Sequence, residues 1–221
     1  MKYSRCEPEI KWWREHLSTN DRYLRNKCSG HPFNKKLKDF IKDRPYFKDK
    51  KELHIVDFGC GPVSMIGTKD DTYKIKILGI DPLINEYNKI LDDKKLVRPH
   101  DVACMECEDA HLIGENTFDI VFTRNAIDHS REPDKIMMSG KHLCKTNGLF
   151  QIRVHQNEGK NQNYAGLHQW NFYVDNEDVI IESPTFKKKF TAKEILGPNL
   201  IIEKHKSHKN APEIFISYFK E

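Results

Sequence analysis

The residues with the clearest chemistry are Asp57, Gly59, Gly61 and Asp81. The stretch "HIVDFGCGPVSMIG", residues 54–67, runs β-prone residues into an acid and then into two glycines on either side of Cys60. Glycine lets the main chain bend sharply and come close to a ligand where a Cβ would intrude. A strand that ends in such a turn is where an open α/β sheet holds its ligand. The next strand-like run, "IKILGID", ends in Asp81, 20 residues after Gly61, and Pro82 holds the turn behind it. An acid at that spacing accepts both hydroxyls of a ribose.

These residues must be positioned by strands, and the pattern from 53 to 155 supplies them. The runs "LHIVDF", "IKILGID", "HDVACM", "FDIVFT" and "LFQIRVH" alternate with helical or loop segments. Such runs suit parallel strands buried on both faces. "EPDKIMMSGKHLC" reads as a crossover helix, with Pro133 near its first turn and Asn147-Gly148 after its end. "NLIIEKH" and "EIFISYF", joined by "KSHKNAP", read as a terminal hairpin that completes the sheet. Residues 8–44 are helical and amphipathic, with Trp12, Trp13 and Leu17 at helical spacing and the cap-type residues of "STNDRYL" between helices. "HQNEGKNQNYAGLHQWNFY" reads as an ordered polar loop. The expected fold is α/β: a doubly wound, mostly parallel seven-stranded sheet with an antiparallel C-terminal hairpin and a helical N-terminal segment.

Composition narrows the class. Of 221 residues, 38% are hydrophobic and 32% charged, and the net charge of +4 is too mild to be a nucleic-acid footprint by itself. No apolar run reaches the ~18–20 residues of a membrane span, and the first residues lack the apolar core of an export signal. The six cysteines, at 6, 28, 60, 104, 107 and 144, are then expected as free thiols in a reducing cytoplasm. Cys104 and Cys107 make one CxxC without a second ligand pair, so no metal site is expected there. Asp128 beside His129 is too little for one either.

A nicotinamide dinucleotide and S-adenosylmethionine both carry the ribose that Asp81 suits. At these residues the sequence resembles the class I S-adenosylmethionine-dependent methyltransferases over about residues 53 to 155, and more narrowly a bacterial subgroup acting on small molecules. "VDFGCGPVS" is similar to the first motif, with Val63 where the third glycine usually stands; "ILGIDPL" is similar to the second and "CEDAHLI" to the third. The resemblance implies a Rossmann-like domain over 51–221, with 1–50 as a helical cap or substrate lid. It implies S-adenosyl-L-methionine as cofactor, held by Asp57, Gly59, Cys60, Gly61, Asp81 and Pro82. Asp109 and Ala110 would flank the adenine, and Arg124 and Asn125, with Ala126, would line the sulfonium. A nicotinamide reductase would be expected to carry a third glycine and a Tyr-x-x-x-Lys pair, which are not evident.

Methyl transfer asks a protein for alignment, desolvation and, for a hydroxyl acceptor, proton removal. Histidine suits the last task near neutral pH. Three histidines fall at strand ends or in the loop above them: His129 or His168 as the base, with His155 nearby. Acceptor pockets in the family are commonly closed by segments equivalent to 8–30 and 156–175, which here hold Trp12, Trp13, Tyr23, Tyr164, Trp170 and Phe172. Arg14, Arg22, Arg25, Arg124 and Arg153 point to a small anionic acceptor, such as a phosphorylated sugar or nucleotide-linked precursor. Two other readings stand beside this one. The runs "FKKKF" and "EKHKSHKN" would serve a nucleic-acid methyltransferase, although the expected Pro-Pro-Tyr-type motif after the fourth strand is missing. A cofactor-binding protein without catalysis is the other. Oligomeric state is not fixed by the sequence.

Overall fold

Strand β1 (Glu52–Phe58) buries its last four residues in sequence, as a strand covered on both faces must. In the computed structural model, which describes residues 7–19, 21–206 and 212–221, β1 lies in the middle of the main sheet. It pairs in parallel with β2 (Lys74–Ile80) on one side and β4 (Phe118–Arg124) on the other. Beyond β2 lies the short β3 (Asp101–Ala103), and beyond β4 lies β5 (Cys144–His155). After three strands that form a separate small sheet, β9 (Leu200–His205) and β10 (Glu213–Phe219) finish the main one. Its order is β3-β2-β1-β4-β5-β10-β9, with β10 antiparallel to both neighbours. This is the expected doubly wound seven-stranded sheet with its C-terminal hairpin. Cys6, the expected cap at Asn20 and residues 207–211 of the "KSHKNAP" turn lie outside the described residues.

Each face of the sheet acquires its cover differently. Between β4 and β5 runs α6 (Pro133–Leu143), which starts on Pro133 and turns Ile136, Met137 and Leu143 into the core. The opposite face has no crossover helix between β1 and β2 among the described residues. Its cover comes from α3 (Lys35–Ile41) and α4 (Pro45–Lys48): Leu37, Ile41 and Phe47 pack with Ile66 and Tyr73 of the β1–β2 loop. The N-terminal helices α1 (Glu7–Thr19) and α2 (Asp21–Cys28) join α5 (Ile84–Asp93) in a third cluster. There Ile10, Leu17 and Leu24 meet Tyr87 and Ile90, together with Cys60 and Val63. Val63 is therefore a core residue, which accounts for an apolar side chain where the motif usually has glycine. Trp13 packs against this cluster, whereas Trp12 is exposed and stacked on His16.

The polar loop expected after β5 ends sooner than "HQNEGKNQNYAGLHQWNFY" does. Its last residues enter β6 (Asn171–Asp175), which pairs with β7 (Asp178–Ser183) and then β8 (Lys188–Thr191) in a separate antiparallel sheet. Asn176 and Glu177 both have positive φ, giving the tight two-residue hairpin between β6 and β7. Val179 and Ile181 alternate inward and join Trp170, Phe172 and α7 (Ala192–Leu196) in the core on the α6 face. The inserted sheet thus fixes Trp170, and with it the segment that carries His168.

Candidate active site

The turn after β1 is bent by Gly59 and Gly61, with φ of +66° and +64°. The Gly59 N–H donates to the Ile80 carbonyl at 2.7 Å, which ties the turn to the end of β2. A Cβ on Gly59 would lie 2.2 Å from the Ala126 Cβ, so the segment after β4 presses directly on it. A Cβ on Gly61 would lie 3.3 Å from the Trp13 ring, so α1 covers the second glycine. Cys60 turns its side chain away from the cleft into the core, and burial pushes its thiol pKa well up.

Two acids close this turn from below. Asp81 is 5% exposed; its Oδ2 accepts the Gly61 N–H at 3.0 Å and its Oδ1 accepts the Leu83 N–H at 2.9 Å. Each oxygen keeps a further lone pair for a ligand hydroxyl. Burial pushes its pKa up to about 7 against those two donors, and the charges of Glu9 and Glu106 add to the rise. Asp57 is 3% exposed and takes a hydrogen bond from Ser64; burial first, and Asp81 after it, also raise it to about 7. Pro82 turns its carbonyl to the Cys104 thiol at 3.4 Å.

The two residues expected to flank the adenine sit in a 3-10 turn, Cys107–Ile113, where Ala110 is buried in the core and Asp109 is exposed. That turn offers a ligand its backbone and edge, not a converging pair of side chains. After β4, Asn125 adopts φ +48° and donates its N–H to the Arg153 carbonyl at 2.9 Å. Its side-chain Oδ1 is buried without a hydrogen-bond partner.

Three residues past Arg124, the chain enters a tight 3-10 turn, Ile127–His129. Asp128 there is 2% exposed. Its Oδ2 lies 2.9 Å from His168 Nδ1 and 3.6 Å from His129 Nε2, and the two ring nitrogens are 3.2 Å apart. Burial would raise Asp128, yet the His129 and His168 imidazoles hold its carboxyl below the usual range. Burial likewise works against the charge on His129, but Asp128 and then Glu9 outweigh it and lift that pKa to about 9. Glu9 reaches over from α1, with its Oε2 3.7 Å from His129 Nδ1. Trp170 donates Nε1–H to the Ser130 carbonyl at 3.1 Å and locks the two histidine-bearing segments together. Sequence reasoning named all three histidines but not Asp128 as a site residue, and it missed Glu9. The adjacent Asp-His pair was the available signal for Asp128; nothing local marks Glu9.

His155 belongs to a different group. Position for position across the sheet, His155, Glu213 and His205 are aligned, as are Arg153, Phe215 and Glu203. The Arg124 Nε–H donates to Glu213 at 3.0 Å. Arg153 is buried between the Phe122 and Phe215 rings; burial brings its pKa down to about 10, and its Nη2 has no hydrogen-bond partner. Lys27 of α2 feels burial first and the Arg124 charge second, both lowering its pKa. The other arginines do not converge here: Arg14 pairs with Glu86 and Arg25 with Asp21 on the surface, and Arg22 is exposed.

The cradle fits an adenosyl sulfonium. A glycine turn leaves backbone room, Asp81 has lone pairs to spare for a ribose, and two buried acids favour a cationic ligand. Residues 56–152 match a methyltransferase domain family. No curated protein matches the chain. Among solved structures, phosphoethanolamine N-methyltransferase 2 of Haemonchus contortus, bound to phosphomonomethylethanolamine and S-adenosylhomocysteine, superposes with a TM-score of 0.51 at 15% identity. That match covers 94% of this chain and 59% of the nematode one. A Listeria monocytogenes protein described as an S-adenosylmethionine-dependent methyltransferase gives 0.50 at 14% identity, covering 77% of this chain and 92% of the other. The chain spans 46% of the length of another match, the cyclase SpnF. At such identities these likenesses speak for the fold. The matched methyltransferase domain takes in the glycine turn between Asp57 and Asp81, and it supports a class I S-adenosylmethionine-dependent methyltransferase.

Proposed function

We propose that the enzyme methylates a small anionic acceptor on oxygen or nitrogen. The observation that carries the reading is the unbalanced positive charge at the ends of β4 and β5. Glu213 is engaged by Arg124, Glu213 and Glu203 also act on Arg153, Lys27 feels the Arg124 charge, and Arg153 keeps an unpartnered donor, so three cations stand against two acids. Arginine forks suit phosphate or carboxylate. When bound, S-adenosyl-L-methionine supplies a methyl group on sulfur that is open to in-line displacement. The protein's own part is alignment and proton handling. Asp57 and Asp81, with the Gly59–Gly61 backbone, hold the cofactor; Arg124 and Asn125 form the boundary between cofactor and acceptor. The Asp128, His129 and His168 cluster faces the acceptor's polar atom, while His155 lies with the anion-binding row. Residues 7–28 form the lid, since Trp13 covers Gly61 and Glu9 reaches His129, whereas α3 and α4 are built into the core.

The nucleic-acid reading loses support at its lysines: Lys188 lies 3.8 Å from Glu132 and Lys189 3.6 Å from Glu182. A small acceptor also agrees with what the nematode methyltransferase binds. No helix of the described residues is long and apolar enough to cross a membrane. The described cysteines are all free.

An acceptor screen read by release of S-adenosylhomocysteine tests the proposal. Phosphorylated or carboxylated compounds are expected to turn over. Arg124→Ala should raise KM for them about 10- to 100-fold, in line with the loss of a charged hydrogen bond, and leave cofactor affinity intact. Turnover of neutral acceptors alone would overturn the anionic assignment.

A further inference from the structure

Three potential ligand atoms converge at the 3-10 turn after β4: Asp128 Oδ2, His129 Nε2 and His168 Nδ1, separated by 2.9, 3.2 and 3.6 Å. Protons fit these contacts poorly. If His168 Nδ1 carries a hydrogen, that one hydrogen must be shared between Asp128 and the His129 Nε2 lone pair. If it carries none, it accepts from His129 and sets its lone pair against the carboxylate. A cation relieves the conflict. Atoms at these separations can all lie about 2.0–2.2 Å from one point, the bond lengths of imidazole and carboxylate on zinc. Two further observations point the same way. Asp128 Oδ1 is buried without a partner, in a residue 2% exposed. The outer nitrogen of His129, Nδ1, faces the Glu9 carboxylate at 3.7 Å, and the Tyr87 hydroxyl donates to Glu9 at 3.4 Å. A carboxylate behind a liganding histidine is the usual outer support of such a metal.

We propose that Asp128, His129 and His168 bind one first-row divalent cation of the zinc type, with Glu9 as the outer support of His129. Two imidazoles and one carboxylate leave a coordination position open, as catalytic rather than structural sites do. The cluster loaded in this way polarises the acceptor's polar atom instead of taking its proton directly. On sequence alone Asp128 beside His129 is too little for a metal site, because His168 lies 39 residues beyond His129 and only the inserted sheet returns it.

The test is binding, independent of any acceptor. Full-length protein stripped with a chelator is titrated with Co²⁺ followed by its visible ligand-field bands, and with Zn²⁺ by calorimetry. One equivalent is expected, with intense bands of low coordination number that Zn²⁺ removes. His168→Gln, at a partly exposed position, should weaken Zn²⁺ binding at least 100-fold while S-adenosylhomocysteine still binds, which certifies the fold. Glu9→Gln should weaken it 10- to 100-fold. Asp128→Asn serves as a second ligand variant if it folds. Cobalt that keeps the spectrum of its aqua ion overturns the proposal. So does zinc binding that survives His168→Gln unchanged, because the ion then sits elsewhere.

Discussion

The two ends of the cleft are built in opposite ways. The cofactor end is local: Asp57, Gly59, Gly61 and Asp81 lie within 25 residues, on adjacent strands and one turn. Its hydrogen bonds are donated by backbone N–H groups, from Gly59 to the Ile80 carbonyl and from Gly61 and Leu83 to the Asp81 carboxylate. The acceptor end that we propose is assembled from α1, α2, β4, β5, β10 and the segment before β6, and most of its contacts are side chain to side chain. A backbone-built cradle tolerates little change, since strained turns and buried acids have few alternatives. A side-chain-built pocket can be retuned one residue at a time. That division suits a fold that keeps one cofactor and changes its acceptor.

The comparison breaks most visibly at Gly59. Gly59→Val places a branched side chain at φ +66° and drives it into Ala126. Strain of about 1–3 kcal/mol at such a φ adds to an overpacking cost of similar size. S-Adenosylhomocysteine binding should disappear in calorimetry, and the melting temperature should fall by several degrees. Near-normal binding would mean that the turn does not form the cradle.

Next comes the charge of that cradle. Burial raises Asp57 and Asp81 from ordinary carboxylate values to about 7. A raised carboxylate binds more protons folded than unfolded, so these two acids destabilise the unliganded protein as pH climbs from about 4 through 7. A cationic ligand favours their ionised forms. Glu9 of α1 and Glu106 act on Asp81 as like charges, Ser64 donates to Asp57, and Arg98, which donates to the Pro62 carbonyl, is a cation that feels the Asp81 charge. The stabilisation by S-adenosylmethionine in thermal shift should therefore grow between pH 6 and pH 8. Asp81→Asn should cut affinity about 100-fold and flatten that slope. A slope that is the same in the variant would place the titration elsewhere.

The same contrast decides what the sequence discloses. The first motif is contiguous, so Asp57, the glycines and Asp81 could be placed on strand ends from spacing alone, and the main sheet followed from alternating apolar runs. The β6–β7 hairpin was missed because Glu177 takes a positive φ that only Asn176 beside it advertises. Without that hairpin, His168 had no visible partner. His155 looked equivalent to the other two histidines until register placed it opposite Glu213. Glu9 is one acid among many on an amphipathic helix, and only tertiary packing brings it to His129. Of the five arginines offered for an anion, Arg124 and Arg153 meet because their positions are paired across β4 and β5. Pairing across strands is set by tertiary contacts that local patterns do not encode.

The smallest expected effect sharpens the contrast. Glu213 is buried and accepts the Arg124 Nε–H, so it offsets one positive charge at the acceptor end. Glu213→Gln keeps the shape and leaves an oxygen for that hydrogen bond, while removing the negative charge. Arg124 and Arg153 then present more of their charge to an anion. With an effective dielectric between protein and water, a unit charge several ångströms away is worth about 1 kcal/mol. KM for an anionic acceptor should fall about three- to fivefold, and the gain should shrink in high salt. Affinity for S-adenosylhomocysteine should not change, because no hydrogen bond of the glycine cradle involves Glu213. An equal change in both affinities would show that the two ends of the cleft are coupled through β4, and that the cradle is less self-contained than its backbone contacts imply.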